Sequence, residues 1–151
     1  MNVLDPVTVL SKPLMAHLAT SSSEGPRDSP VWYHWEESKL WVVGTSRDSF
    51  PQRLRADPRC AIGIVDFDVE RGLLLHVGIR GVAQVQKINV ARLHRLLARY
   101  LGSNPQSWSQ WFVQRVVEPL DLMIEVTPQS IVARDYSYFR TGPDFATPPT
   151  R

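Results

Sequence analysis

The run LLLHVGIRGVAQVQ, residues 73–86, constrains the fold of this chain more than any other stretch. Leu75, Val77, Ile79, Ala83 and Val85 fall on one side of a period-two pattern, and His76, Arg80, Gln84 and Gln86 fall on the other. That alternation belongs to a long strand with one apolar and one wetter face. Gly78 and Gly81 within it predict a bend or a close approach of backbone, as barrels require where strands turn corners.

Shorter strands surround it. PLMAHLAT, residues 13–20, runs into the turn cluster SSSEGP, which holds Gly25 and Pro26. In SPVWYHW, residues 29–35, Val31, Tyr33 and Trp35 alternate with Trp32 and His34, and the aromatic and β-branched content predicts one strand. EESK then forms a hairpin, and KLWVVGTS returns with both faces apolar, as a strand inside a sheet. CAIGIVDF reads as a short buried strand, DVERG as a loop, LMIEVTP as another strand and SIVARDY as a last short one.

Three segments carry helical signals. SFPQRLRAD follows the third strand; Ser49 is placed to cap it with Gln52 reaching back in a capping box, and Pro58 stops it near Asp57. VARLHRLLARYL is capped by Asn89, repeats Val90, Leu93, Leu97 and Leu101 on one face, and ends at Gly102. PQSWSQWFVQRVV starts with Pro105 and reads as a second long helix burying Trp108, Trp111, Phe112 and Val116 before Pro119. The order is not an alternation of strand and helix, which argues against a doubly wound parallel sheet. It predicts a mainly β, antiparallel barrel with peripheral helices: a small helix after the third strand and a helical pair before the last strands.

With 151 residues there is room for one domain, placed at 1–139, and a proline-rich tail at 140–151. No apolar run approaches the roughly 20 residues of a membrane span, and MNVLDPVTVLSKP lacks the basic start and apolar block of a secretory signal, so a cytoplasmic protein without a membrane partner is expected. Cys60 is the only cysteine and lies in an apolar run, as a buried thiol does. The net charge is +2, and Arg47, Arg53, Arg55 and Arg59 are interleaved with Asp48 and Asp57, too sparse a pattern for a nucleic-acid footprint. His17, His34, His76 and His94 show no metal-ligand spacing; His34 and His76 read as half-buried strand residues. Walker, GxSxG and GxGxxG motifs are absent.

What remains is GTSRDSFPQRLRADPR, residues 44–59. Thr45, Ser46 and Ser49 place hydroxyls beside the free amides of a helix start, and Arg47 and Arg53 can supply charge. Helix N-termini hold phosphate because unpaired N–H groups and the helix dipole converge there. Plain helix capping uses the same residues.

The stretch from MAHLAT through SPVW and GTSRDS to LRADPRCAIGIV, followed by GIRGVAQVQ and MIEVTPQSIVARDY, resembles the pyridoxamine 5'-phosphate oxidase-like family of FMN-binding split β-barrels over about residues 9–136. The resemblance implies an antiparallel split β-barrel of Greek-key type. It also implies a homodimer with FMN at the interface and two-electron transfer with a small organic substrate. The ring would lie against Ser29, Pro30, Val31 and Trp32, and the phosphate would lie at Gly44, Thr45, Ser46 and Ser49, with Gln52 and Arg53 on the helix that follows. No side chain is assigned as catalytic, because the flavin carries the chemistry. One departure stands out: many members have a basic residue directly after the position of Ser49, where this chain has Phe50 and Pro51. Arg53 or Arg47 is then left to supply the charge, or the site is weakened. The same scaffold hosts deazaflavin-dependent reductases and non-catalytic flavin- or haem-binding proteins, which stand as the alternatives.

Overall fold

The computed structural model describes residues 3–137, and the tail expected at 140–151 lies outside the described residues. The strands are β1 (Ala16–Ser22), β2 (Gly25–Val31), β3 (Tyr33–Glu36), β4 (Lys39–Gly44), β5 (Arg59–Asp68), β6 (Leu73–Lys87) and β7 (Leu122–Asp135). The helices are α1 (Pro6–Leu10), α2 (Ser49–Ala56), α3 (Val90–Leu101) and the short α4 (Gln110–Phe112). The strands form one sheet in the order β2-β1-β5-β6-β7-β4-β3, and each neighbouring pair is antiparallel. β2 and β3 are the two edges of this sheet, yet only Trp32 separates them in sequence. Consecutive Cα atoms lie about 3.8 Å apart, so the edges must meet there and the sheet curls into a barrel that hydrogen bonds do not close.

The expected single strand at 29–35 is therefore two strands. The break falls at Trp32 because its indole leaves the sheet and stacks on Tyr100 of α3, with ring centroids 4.4 Å apart and planes 2° from parallel. The next amide, that of Tyr33, donates to the Tyr100 hydroxyl at 3.1 Å instead of to a strand. The segments read as LMIEVTP and SIVARDY are, conversely, one strand of 14 residues. Between them Arg80 pairs with Ser130 and Gly81 with Pro128, so Gln129 is the extra residue of a β-bulge. Gly81 makes the close approach expected of it: a Cβ there would lie 2.5 Å from the Thr127 carbonyl oxygen.

One core fills the barrel, with Leu18, Ile62, Ile64, Val77, Ile79, Leu40 and Val42 nearly inaccessible to solvent. A second, of Trp41, Leu93, Leu96, Leu97, Trp108 and Met123, lies between the outer face of β4 and α3. β4 is apolar on both faces because it separates these two cores. The sequence reading missed α1, whose five residues are too few to show a period; the Asp5 carboxylate caps it by accepting from the Val7 amide at 3.0 Å, and Val9 and Leu10 are fully buried. Tyr33 is buried against this segment and donates to the carbonyls of Val9 and Lys12. Burial, reinforced by Tyr100, pushes its pKa to about 12.

α3 matches its prediction at the ends, with the Asn89 side chain accepting from the Arg92 amide and Gly102 at a φ of 98°. Its buried face is Leu93, Leu96 and Leu97; Val90 is exposed. The second long helix does not form as one. Trp108 adopts an extended backbone while its indole N–H donates to the Gly102 carbonyl at 3.0 Å, which separates a 3-10 turn at Pro105–Ser107 from α4 and a π-helical turn at Val113–Val117. Trp108 alone of the predicted stripe is buried: Phe112 is half-buried, and Trp111 and Val116 face solvent, with the Arg115 guanidinium over the Trp111 ring.

α3 is fastened to β3 by charge. Glu36 accepts from Arg95 Nε and Arg92 Nε, both at 2.7 Å, and these bonds, that from Arg95 foremost, hold its carboxyl near pKa 2 against an ordinary 4.5. A carboxyl with a lower pKa folded than unfolded contributes stability that is complete above about pH 5 and lost as the pH falls towards 2. Glu36→Gln is expected to flatten this part of the acid limb. Urea midpoints measured in pH steps from 5 to 2 check it, and equal slopes in variant and wild type would refute it. His34, beside Glu36, has its pKa lowered by burial and then by Arg99. Arg99 Nη1 lies 3.3 Å from His34 Nδ1, which can only accept there, so the ring is neutral and carries its proton on Nε2, the atom that faces Glu36 at 3.6 Å.

Candidate cofactor site

The site is built around Arg53. α2 begins at Ser49 and ends at Ala56, and Asp57 leaves the helical region ahead of Pro58, as expected. Its start differs from the capping-box reading: Asp48 is the N-cap residue, and no side chain closes the cap. Ser49 and Gln52 are thereby released from capping. The helix instead buries Phe50, Pro51 and Leu54 against the barrel, which fixes the direction of Arg53. A Cβ on Gly44 would lie 2.8 Å from the Phe50 ring, so glycine at the end of β4 and phenylalanine on the helix fit as a pair. The residues standing where a basic side chain was expected are core residues.

The Arg53 guanidinium reaches across β1 to β2. Its Nε donates to Thr20 Oγ1 at 2.7 Å, Nη1 to Ser49 Oγ at 2.8 Å and Nη2 to Ser29 Oγ at 3.4 Å. No carboxylate is paired with it among the described residues. A guanidinium stays charged at any physiological pH, and each hydroxyl that accepts from it keeps its own O–H to donate. One fixed cation ringed by three hydroxyl donors is a donor set suited to phosphate oxygens.

Of the residues expected at the phosphate, the structure gathers Ser49 and Arg53 and adds Ser29, which had been assigned to the ring. Thr45 and Ser46 are engaged elsewhere. The Asp48 carboxylate accepts from the Thr45 amide at 2.7 Å and its hydroxyl at 3.1 Å, and Asp121 accepts from the Ser46 amide at 2.8 Å. An anion at those amides would displace two carboxylates. Gly44 is buried, with its carbonyl accepting from the Asp121 amide at 3.2 Å; Gln52 and Arg47 are exposed. Thr20, which the sequence reading did not single out, carries a signal in retrospect: it continues the inward-facing series Ala16, Leu18, where a hydroxyl must find a partner.

Ser29, Pro30 and Val31 lie on β2, an edge strand whose outer backbone groups no other strand pairs among the described residues. Trp32 is held under α3 and α4, between Tyr100 and Phe112, and packs against the second core.

No protein-family profile and no curated protein sequence matches this chain. Solved structures do. An F420 reductase is 22% identical, with 85% of this chain and 98% of that one aligned at a TM-score of 0.64. A FAD-binding protein from Mesorhizobium loti is 16% identical over 89% and 96% of the two chains, with a TM-score of 0.62. A candidate pyridoxamine 5'-phosphate oxidase from Listeria innocua is 14% identical over 87% and 94%, with a TM-score of 0.61. With the strand order and the seam at Trp32, these similarities establish that the chain has the split β-barrel fold of the pyridoxamine 5'-phosphate oxidase-like proteins.

Proposed function

We propose that this protein binds FMN between two copies of itself and acts as an oxidoreductase on a small organic substrate. The observation that carries the reading is the Arg53 cluster with Thr20, Ser29 and Ser49, a cation without a carboxylate partner among the described residues, beside an edge strand that these residues pair on one side only. Arg53 takes over the charge that Phe50 and Pro51 do not supply. Its hydroxyl neighbours would share the phosphate oxygens, and the β2 edge at Ser29, Pro30 and Val31 would lie against the ring, Pro30 offering a C=O but no N–H. When bound, the flavin supplies two-electron transfer. The chain supplies the anchor, the platform and the rigid barrel behind both.

Similarity to a FAD-binding protein and to an F420 reductase supports a flavin or deazaflavin over haem. FMN is favoured between the two because the cluster around Arg53 is compact, one arginine and three hydroxyls, and suits a single phosphate group. The test is the visible spectrum of the purified protein, followed by titration with FMN while its fluorescence is recorded. A yellow protein, or quenching that saturates at one FMN per chain, is the expected result. A colourless protein that takes up no FMN overturns it, and saturable binding of F420 in its place would establish the deazaflavin reading.

A further inference from the structure

Residues 4–14 lie across the barrel as a strap with little secondary structure beyond α1. Val9 and Leu10 are fully buried in the main core, and Leu4 and Leu14 pack against it. Side chains of β3 and α3 hold the strap by four of its carbonyls. Arg99 Nη2 donates to those of Leu10 and Lys12, the Tyr33 hydroxyl faces those of Val9 and Lys12 at 3.2 and 2.7 Å, and the Tyr100 hydroxyl donates to that of Leu14 at 2.8 Å.

Arg99 is the member of this group that a proton can dislodge. No carboxylate pairs with it among the described residues, so its charge is met by carbonyls and by the His34 ring. His34 is neutral with its proton on Nε2, so the next proton can land only on Nδ1, the atom that Arg99 Nη1 faces at 3.3 Å. A guanidinium keeps all its protons, so an imidazolium there sets donor against donor and cation against cation. The other charged groups around the ring do not cancel this. Glu36 faces Nε2 at 3.6 Å, but both of its oxygens already accept from Arg92 and Arg95, and Arg95 adds positive charge from α3. On the strap, the Lys12 ammonium is paired with Asp66, and on β4 the residue opposite His34 is the uncharged Trp41.

We propose that residues 4–14 are an acid-released strap: protonation of His34 at Nδ1 expels Arg99 from its place, frees the carbonyls of Leu10 and Lys12, and lets the strap open while the sheet stays formed. Burial, and then Arg99, lower the His34 pKa from 6.5, which sets the direction. A histidine with a lower pKa folded than unfolded contributes stability that is complete above about pH 6.5 and is lost as the pH falls from there to the folded value. The device is independent of any cofactor.

Native-state hydrogen exchange of the full chain, recorded by NMR at steps between about pH 7 and pH 5 and corrected for the intrinsic rate at each pH, tests it. The Ser11 and Lys12 amides, which donate to the Val7 and Val9 carbonyls at 3.0 Å, report on the strap. Their protection is expected to fall about threefold or more as the pH is lowered, with the amides of β5 and β6 unchanged, as a local opening requires. The midpoint of the fall should coincide with the titration of the His34 ring, followed by proton NMR in the same samples. His34→Asn keeps an acceptor oxygen towards Arg99 and cannot titrate, so its strap protection should be independent of pH over this range. Unchanged protection in the wild type, an equal loss at β5 and β6, or the same pH dependence in His34→Asn overturns the proposal. If His34→Asn does not fold, the wild-type midpoint decides: a fall that does not track the His34 titration refutes the latch.

Discussion

Arg53→Ala is expected to weaken FMN binding about 10- to 100-fold, measured by fluorescence quenching, while Arg55→Ala on the exposed side of the same helix changes it less than twofold. A hydrogen bond between charged partners is worth about 1.5–3 kcal/mol, and each 1.4 kcal/mol is about tenfold in affinity. Both substitutions remove one positive charge from α2, so a long-range effect of net charge would move them together. Only Arg53 touches Thr20, Ser29 and Ser49. Arg53→Lys keeps the charge and loses the fork, and should fall between wild type and Arg53→Ala. Equal affinities for the Arg53→Ala and Arg55→Ala proteins would place the phosphate elsewhere. Arg92 is unsuited as the control, because its guanidinium lies 3.6 Å from the Trp41 ring centroid and pairs with Glu36 and Glu37, so its loss would be read as instability.

The largest effect on stability is expected at Arg99. Its Nη2 donates to the carbonyls of Leu10 at 3.1 Å and Lys12 at 2.7 Å, and its Nη1 donates to the Tyr33 carbonyl at 3.0 Å and faces His34 Nδ1. One side chain thus joins the segment after α1, the seam of the barrel and α3. Arg99→Ala leaves three part-buried carbonyls without this donor, and a loss of about 3 kcal/mol is expected, since a hydrogen bond to a charged group contributes roughly half that or more and such losses are not additive. Urea denaturation followed by circular dichroism measures it, with an unchanged m-value showing that the unfolded state is not at issue. A second readout separates this from general loosening. Arg99 helps to hold the His34 pKa down, so Arg99→Lys, which keeps a cation there, should leave His34 low while Arg99→Ala lets it rise towards 6.5 in a proton NMR titration. A stability loss under 1 kcal/mol with no movement of His34 would contradict both expectations.

The barrel was legible wherever a side-chain period maps onto one element. β6 shows its alternation over 15 residues, and α3 shows both of its caps. The reading failed where tertiary contacts set the backbone. Nothing local marks Trp32 as the residue that leaves the sheet, because its reason for leaving is Tyr100, 68 positions later. In the 105–117 region the apolar spacing is helical, but the Trp108 indole bond to Gly102 breaks the helix before the spacing can act. At the candidate site the arginine could be read and its company could not. Arg53 is conspicuous beside a helix start, whereas Thr20 and Ser29 come from strands on the other side of a turn, and Asp121, which ties down the Ser46 amide, comes from 75 residues away.

The one-residue link between β2 and β3 also distributes the entropy of folding. The β1–β2 and β3–β4 hairpins are local structures joined at Trp32, so the two edges of the barrel are kept side by side by the chain itself, without a long loop to close. The ordering cost then concentrates on β7, which arrives after the helical excursion and must register with β6 and β4 together. Closing large loops dominates the search in sheets of this kind. In a split barrel threaded this way the chain joins the two edges at the seam by a single residue, and the pairing that costs most loop entropy lies on the opposite side, where β7 bridges β6 and β4.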